Sequence, residues 1–187
     1  MTFGYPVVLD LSNVPVLVVG GGRIADRKAE GLVAAGARVT VVAPTVLADL
    51  AARAVEVRER PYLAADLDGQ QMVMTATDVP AVNAQVALDA RARGLWVNSA
   101  DDPDNCTFIL PAVARRGPVV VAVGTDGASP ALARHLRDRI AAEILTPGTE
   151  AVAAELARQR AAFHAEGIST ETVDWTDRLR RALERYG

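Results

Sequence analysis

Along the chain, short runs of β-branched apolar residues alternate with stretches whose apolar positions recur every three or four residues. Residues 14–19, 39–43, 72–76 and 95–97 are continuously apolar, the pattern of strands buried on both faces of a parallel sheet. Between the first two, Ala25, Ala29, Leu32 and Val33 share one face of a predicted helix that stops at Gly36, a C′ glycine. A second helix is predicted with Asp78 as N-cap and Pro80 near N1, running to Arg93. Residues 55–59 alternate apolar with charged side chains and belong near a sheet edge. Strands separated by helices of this length predict right-handed βαβ units. The fold class is therefore α/β, a Rossmann-like doubly wound parallel sheet.

Beyond Pro111 the pattern changes. Residues 115–118 read as a turn, 119–123 as a strand, and 124–127 as the loop that ends it. Ser129-Pro130 is a strong helix start, because serine caps orphan amides and proline suits the first helical position. That helix is predicted over 131–145, ending before Pro147-Gly148. Two short amphipathic helices follow. One carries Val152, Leu156, Gln159 and Phe163; the other carries Trp175, Leu179, Ala182, Leu183 and Tyr186. Each must bury its stripe to be stable.

Composition narrows the function classes. With 187 residues, 50% of them hydrophobic, the chain builds a core without a disulfide or metal staple. Twenty Lys and Arg against 23 Asp and Glu leave a net charge of -3, which argues against a nucleic-acid binder but not against a local basic pocket. Cys106 is the only cysteine, so neither an intrachain disulfide nor a paired-cysteine zinc site is available. His135 and His164 stand alone on helices, and Cys106 has no histidine nearby in sequence; no metal site and no thiol nucleophile are expected. Residues 1–11 lack the charge and apolar run of a signal peptide, and no window is apolar enough for a membrane span. A soluble, cytoplasmic protein is the expectation.

The sharpest local signal is Gly20-Gly21-Gly22-Arg23-Ile24-Ala25, a G-x-G-x-x-A pattern between a strand and a helix. Gly20 permits the tight turn, Gly22 lets the backbone approach a pyrophosphate, and Ala25 lets helix and strand pack closely. The helix N-terminus offers free amides to the phosphates. Such a turn also occurs without any ligand. The carboxylate that would grip the adenosine ribose about 20 positions on is missing: the second strand ends Val41-Val42-Ala43-Pro44-Thr45. No arginine follows to claim a 2′-phosphate, although Arg23 is within reach of such a role. These residues leave NAD against NADP open and lean to NAD. Thr77, at the carboxyl end of the fourth strand, faces the same crevice, as does Asp101 beyond Asn98.

The ordered set Val18 to Gly22 with Ala25 and Arg27-Lys28, Gly36-Ala37, Ala76-Thr77-Asp78 with Asn83, Asn98 with Asp101 and Pro103, Phe108-Ile109 with Pro111, and Gly127 with Ser129-Pro130, Arg134 and Arg137 resembles the precorrin-2 dehydrogenase family. That family is also found as the N-terminal module of siroheme synthase. The likeness is close over residues 5–145 and looser beyond. It implies oxidation of precorrin-2 to sirohydrochlorin with NAD as hydride acceptor, and a homodimer. Some members also insert ferrous iron into the product. Asp101 falls on the catalytic aspartate; Arg23, Ile24, Pro44 and Thr45 fall on the nucleotide contacts. The domain expectation is then 1–113 for nucleotide binding, 114–147 as a small α/β dimerisation and substrate-binding segment, and 148–187 as a helical domain. The methyltransferase fused to longer members has no room here, so methyl transfer is not expected.

Precorrin-2 is rich in carboxylates, so an acidic protein needs a local cationic patch for it. Asn98, the amides near Gly127 and Ser129, and Arg134 and Arg137 are the residues assigned to that task. A capped helix with a solvated basic face would look the same, and Asp101 alone would also suit a turn before Pro103. Two rival readings remain. One is a nucleotide-sensing module such as the regulatory domain of a potassium transporter, which normally has the acidic residue missing here. The other is an interaction protein with a vestigial nucleotide site.

Overall fold

The computed structural model describes residues 4–187, so the first three residues of the predicted domain 1–113 lie outside it. The chain forms two units, one ending at Ile109 and the other running from Leu110 to Gly187; the predicted segments 114–147 and 148–187 both fall in the second.

In the first unit, strands β1 (Pro15–Val19), β2 (Arg38–Val42), β3 (Glu56–Arg58), β4 (Met72–Thr75) and β5 (Trp96–Ser99) make a parallel sheet in the order β3-β2-β1-β4-β5. Helices α1 (Arg23–Ala34), α2 (Ala48–Arg53) and α3 (Pro80–Ala92) connect them. Alternate side chains of each strand enter separate cores. Val16, Val18, Val41, Met72 and Met74 pack with Ala25, Ala29 and Leu32 of α1 and Leu50 of α2. Leu17, Val19, Val73 and Val97 pack with Val86, Ala87 and Ala90 of α3. Because both faces are covered, the strands read as unbroken apolar runs rather than alternating ones. The alternating 55–59 stretch supplies β3 at the sheet edge, as predicted. The short α2 was not predicted; its six residues bury only Leu50 and leave no periodic signature.

Prolines set three helix starts. The residue before a proline is driven to extended backbone, so with Pro80 inside the first turn the N-cap of α3 is Val79 (φ -109°, ψ 99°) and not Asp78. Helix α4 (Pro130–Glu143) starts as predicted, with Ser129 Oγ accepting from the Leu132 amide at 3.1 Å. Pro147-Gly148, read as a stop, instead opens α5 (Pro147–Ala165), capped by Thr146 Oγ1 accepting from Thr149 N at 3.3 Å.

The second unit also holds an antiparallel hairpin, β6 (Ala112–Arg116) with β7 (Val119–Val123). Only Gly117-Pro118 make its turn, with Gly117 at φ 51°, so Arg115 and Arg116 belong to a strand that the sequence reading took as turn. Helix α6 (Thr176–Tyr186) packs on α5 through an edge-on pair, Phe163 and Trp175, with ring centroids 6.0 Å apart. Ala182 is buried, but Leu179 and Leu183 of the predicted stripe stay 41% and 49% exposed. Among the described residues no helix is long and apolar enough to cross a membrane.

A buried carboxylate stands just beyond the edge strand β3. Asp66 follows β3 in a 3₁₀ turn (Ala64–Leu67) and is 1% exposed. It accepts from Arg60 at 2.6 and 2.8 Å, from Arg58 at 2.8 Å and from the Leu63 amide at 2.9 Å. The Arg60 hydrogen bonds, with Leu63 and Arg58, hold its carboxyl well below the usual carboxylate range against the cost of burial. A depressed native pKa contributes stability above the unfolded value of about 4 that is lost as pH falls through the native one. Asp66→Asn should therefore cost about 1–3 kcal/mol near neutral pH, the usual range when a buried charged hydrogen-bond acceptor is lost. Urea melts of the two proteins should converge as the pH drops from 4 towards 2; a constant gap would show that the carboxylate's charge is not what matters.

Candidate active site

The glycine loop is shaped by backbone contact. Gly20 sits at φ 130°, and a Cβ there would lie 2.7 Å from the Ala76 carbonyl carbon and 3.2 Å from Thr77 N. At Gly21 a Cβ would run into the Thr45 carbonyl oxygen and stand 2.8 Å from its carbon. Hydrogen bonds tie the loop on both sides: Ala76 N donates to Val19 O at 2.8 Å on the β4 side, and Gly20 N to Val42 O and Leu47 N to Gly21 O, each at 3.0 Å, on the β2 side. The loops after β1, β2 and β4 are thus held together with no side chain between them. Gly22 is different, because a Cβ there would meet nothing within 4 Å. It is the N-cap of α1 in extended conformation, and no side chain caps the helix's first amides. Open space beside uncapped amides is what an anionic phosphate needs. Gly20, read as the turn residue, holds φ 130°, and Gly22, read as the close approach, faces open space; Gly21, to which the sequence gives no role, fills a variable position of the pattern.

Beyond these glycines, the chain leaves β1 for β2 on one side and returns to β4 on the other, so the strand order reverses between β1 and β4. Ligands of doubly wound sheets lie beyond the strands' carboxyl ends at that reversal. Arg23 and Ile24 are exposed on the first turn of α1, and Pro44 and Thr45 are exposed after β2. Thr77 is half-buried and clamped by Asn83 of α3. Asn83 Oδ1 accepts from Thr77 N at 3.2 Å and from its Oγ1 at 2.9 Å, while Nδ2 donates to Thr77 O at 3.0 Å. All five predicted residues stand on this one edge with the glycines.

Asp101 lies on the neighbouring strand end, exposed, in a turn after β5 at φ 56°. Beneath it, Asn98 is 6% exposed. Its Oδ1 accepts from Lys28 Nζ at 2.7 Å and its Nδ2 donates to Phe108 O at 3.0 Å. Both ends of this amide, which the sequence assigned to substrate, are already hydrogen-bonded within the protein. Cys106, 2% exposed, accepts from Ser99 N at 3.1 Å, and its Sγ lies 3.3 Å from the carbonyl oxygens of Ser99 and Asp102. Burial pushes the Cys106 thiol up, the Ser99 amide opposing. Burial pulls the Lys28 ammonium down, with Arg27 adding to the effect and Cys106 and Asp101 opposing it. The sequence assigns no site role to Lys28, although Arg27-Lys28 belongs to the ordered set, and none to Cys106; their hydrogen bonds to β5 bring them beside the turn.

The remaining predicted residues belong to the second unit. Gly127 has φ 81° in the loop before α4. Thr125 Oγ1 and the Ser129 backbone exchange hydrogen bonds at 3.1 Å, while the Ser129 hydroxyl is used as cap. Arg134 is exposed. Arg137 is turned onto its own unit, 2.6 Å from Asp138 and 3.5 Å from the Val113 carbonyl. Arg134 is therefore the better placed of the two arginines for an outside anion. Among the described residues, no group of three or more His, Cys, Asp or Glu is gathered as for a metal ion.

Residues 7–112 match the family model described as "Putative NAD(P)-binding", and residues 116–143 match that of the sirohaem biosynthesis protein central region. A siroheme synthase of Methylococcus capsulatus is 49% identical over 139 residues, covering 72% of this chain and 29% of the relative. Siroheme synthase 1 of Aeromonas salmonicida is 40% identical, covering 96% of this chain and 41% of the relative. The chain thus spans well under half the length of these curated relatives. Among solved structures, SirC, a precorrin-2 dehydrogenase, superposes with a TM-score of 0.78 at 29% identity, covering 98% of both chains.

The three glycines should respond differently to alanine. Gly21→Ala should unfold or strongly destabilise the first unit, because backbone cannot yield to the new methyl. Gly22→Ala, at an ordinary φ of -92°, should leave the thermal midpoint unchanged yet weaken dinucleotide binding at least about tenfold, by removing a close approach typical of these loops. Titration calorimetry with NAD checks this; unaltered affinity in Gly22→Ala would place the phosphates elsewhere.

Proposed function

The chain belongs to the precorrin-2 dehydrogenase family, the family of the N-terminal module of siroheme synthase, and on that premise we propose that it oxidises precorrin-2 to sirohydrochlorin with NAD as acceptor. One observation carries the reading: an exposed carboxylate, Asp101, on the strand end next to the β1/β4 reversal where the glycine cradle lies. The residues present fit the dinucleotide, since the space beside Gly22 is open and the first amides of α1 are uncapped. Bound NAD supplies the hydride acceptor. Gly20, Gly21 and Thr45 set the floor of the cradle, Gly22, Arg23 and Ile24 receive the pyrophosphate, Pro44 and Thr45 flank the adenosine side, and Thr77 flanks the far half. As hydride leaves a ring carbon of precorrin-2, a proton leaves the macrocycle, and Asp101 accepts it. Orienting the macrocycle lowers the barrier further. Within the second unit, Arg134 is the exposed cation assigned to carboxylates, beside the loop at Gly127 and Ser129.

A second copy is the expected partner. On α4, Leu132 and Leu136 lie one turn apart and are 48% and 37% exposed, an apolar row that a homodimer would cover. Ferrous iron, if it is inserted, is a substrate rather than a resident metal.

The decisive assay mixes protein, precorrin-2 and NAD and follows sirohydrochlorin and NADH absorbance; iron added afterwards tests insertion. Asparagine tolerates positive φ nearly as well as aspartate, so Asp101→Asn should keep the turn and the NAD affinity while kcat falls about 10²–10⁴-fold, the range for a lost acid–base group. Wild-type turnover would take the proton away from Asp101. Arg134→Glu should raise the KM for precorrin-2 about tenfold or more and leave NAD binding alone, as expected when an ion pair becomes a like-charge contact. Leu136→Glu should shift the sedimentation coefficient from dimer to monomer.

A further inference from the structure

The proposed reaction gives no task to Lys28, a half-buried charged side chain of the first unit. Across the sheet, Val57, Val41, Val18, Met74 and Asn98 stand in one register row, in which Asn98 is the only polar member. That row faces the core covered by α1. Lys28, on α1, reaches over this apolar surface to place Nζ 2.7 Å from Asn98 Oδ1. Drawing an ammonium into such a place is costly unless it is paired, and a leucine opposite a methionine would fill the row more cheaply. The pairing therefore answers a need other than packing.

The need lies in the turn above. Asp101 holds φ 56°, a conformation that a non-glycine residue keeps only where its surroundings over-determine it. Thr107 ties the chain at Val97, its N donating to Val97 O and its Oγ1 accepting from Val97 N, each at 2.8 Å, and two side-chain ties lie nearer the turn. One is the Asn98 amide, whose Nδ2 bonds Phe108 O and whose rotamer is set by Lys28 on Oδ1. The other is Cys106 Sγ, bonded to Ser99 N. Without the Lys28 donor, Oδ1 faces an apolar row, and the amide loses what distinguishes its two ends.

We propose that Lys28 is a positioning residue for the reaction: by donating to Asn98 Oδ1 it locks the amide that ties residues 98–101 to Phe108, and so fixes where the Asp101 carboxylate stands. It acts through Asn98 and touches neither substrate nor nucleotide. This rests on the reading of Asp101 as proton acceptor, but the tie itself exists in the protein alone.

Two measurements separate those layers. In the full-length protein without ligands, amide hydrogen exchange at residues 99–102 should speed up about tenfold in Lys28→Met, whose methylene stem keeps the packing, and stay near wild type in Lys28→Arg, which keeps a donor of sufficient reach. In the precorrin-2 assay, Lys28→Met should lose about ten- to a hundredfold in kcat, the scale of a small misplacement of a reacting group, with NAD affinity unchanged and Lys28→Arg rescuing most of the loss. Asn98→Leu should lose a similar factor, and the double variant no more than either single one, as for residues acting as a unit. Unchanged exchange in Lys28→Met, or losses that multiply in the double variant, would overturn the inference. Faster exchange in a protein that oxidises no precorrin-2 would keep the tie and discard the reaction assigned to it.

Discussion

Backbone touching backbone is the constraint on which the site depends. Gly20 and Gly21 lie against Ala76, Thr77 and Thr45 with no room for a side chain, so the loops after three adjacent strands close into one surface. Sheet order makes this possible, because β1 sits between β2 and β4 and its loop has a neighbour on each side. The same closeness leaves Gly22 as the one open glycine and points uncapped helical amides into the space beside it. Nucleotide binding is in this sense a by-product of how tightly the loops pack.

Charge appears in two buried places, and it does different things in each. Beyond β3, Asp66 is surrounded by two guanidinium groups and an amide. At the β5 edge, Lys28, Asn98 and Cys106 meet under a turn whose own carboxylate is left exposed. The first cluster satisfies its acid completely and leaves nothing for chemistry. The second satisfies its scaffold and leaves Asp101 exposed. The separation is sensible, since a carboxylate consumed by two arginines is too weak a base to take a proton near neutral pH.

In the second unit, helix starts dominate the architecture. Ser129-Pro130 and Thr146-Pro147 each combine a hydroxyl cap with a proline in the first turn, and the chain between them ends one helix and begins the next within a few residues. The hydroxyl of Ser129 is spent on that cap and its amide on Thr125 Oγ1, while Arg134 on the same helix stays exposed.

The sequence by itself determined the parallel sheet, the edge position of β3, the glycine turn and the α4 cap, because each is written in residues close together: apolar runs, a strand–glycine–helix order, a serine before a proline. It also marked Asp101, through an ordered set of short segments. What it could not determine needed atoms distant along the chain. Gly21 meets Thr45, and Lys28 meets Asn98 seventy residues on. No local pattern encodes these contacts. Asn98 looked like a substrate ligand because polar residues at strand ends often are, and only the tertiary packing of α1 over β5 shows its amide already spent. The β6 strand was hidden for a similar reason: a short ribbon ending in two arginines acquires its strand character from its partner, not from its own side chains.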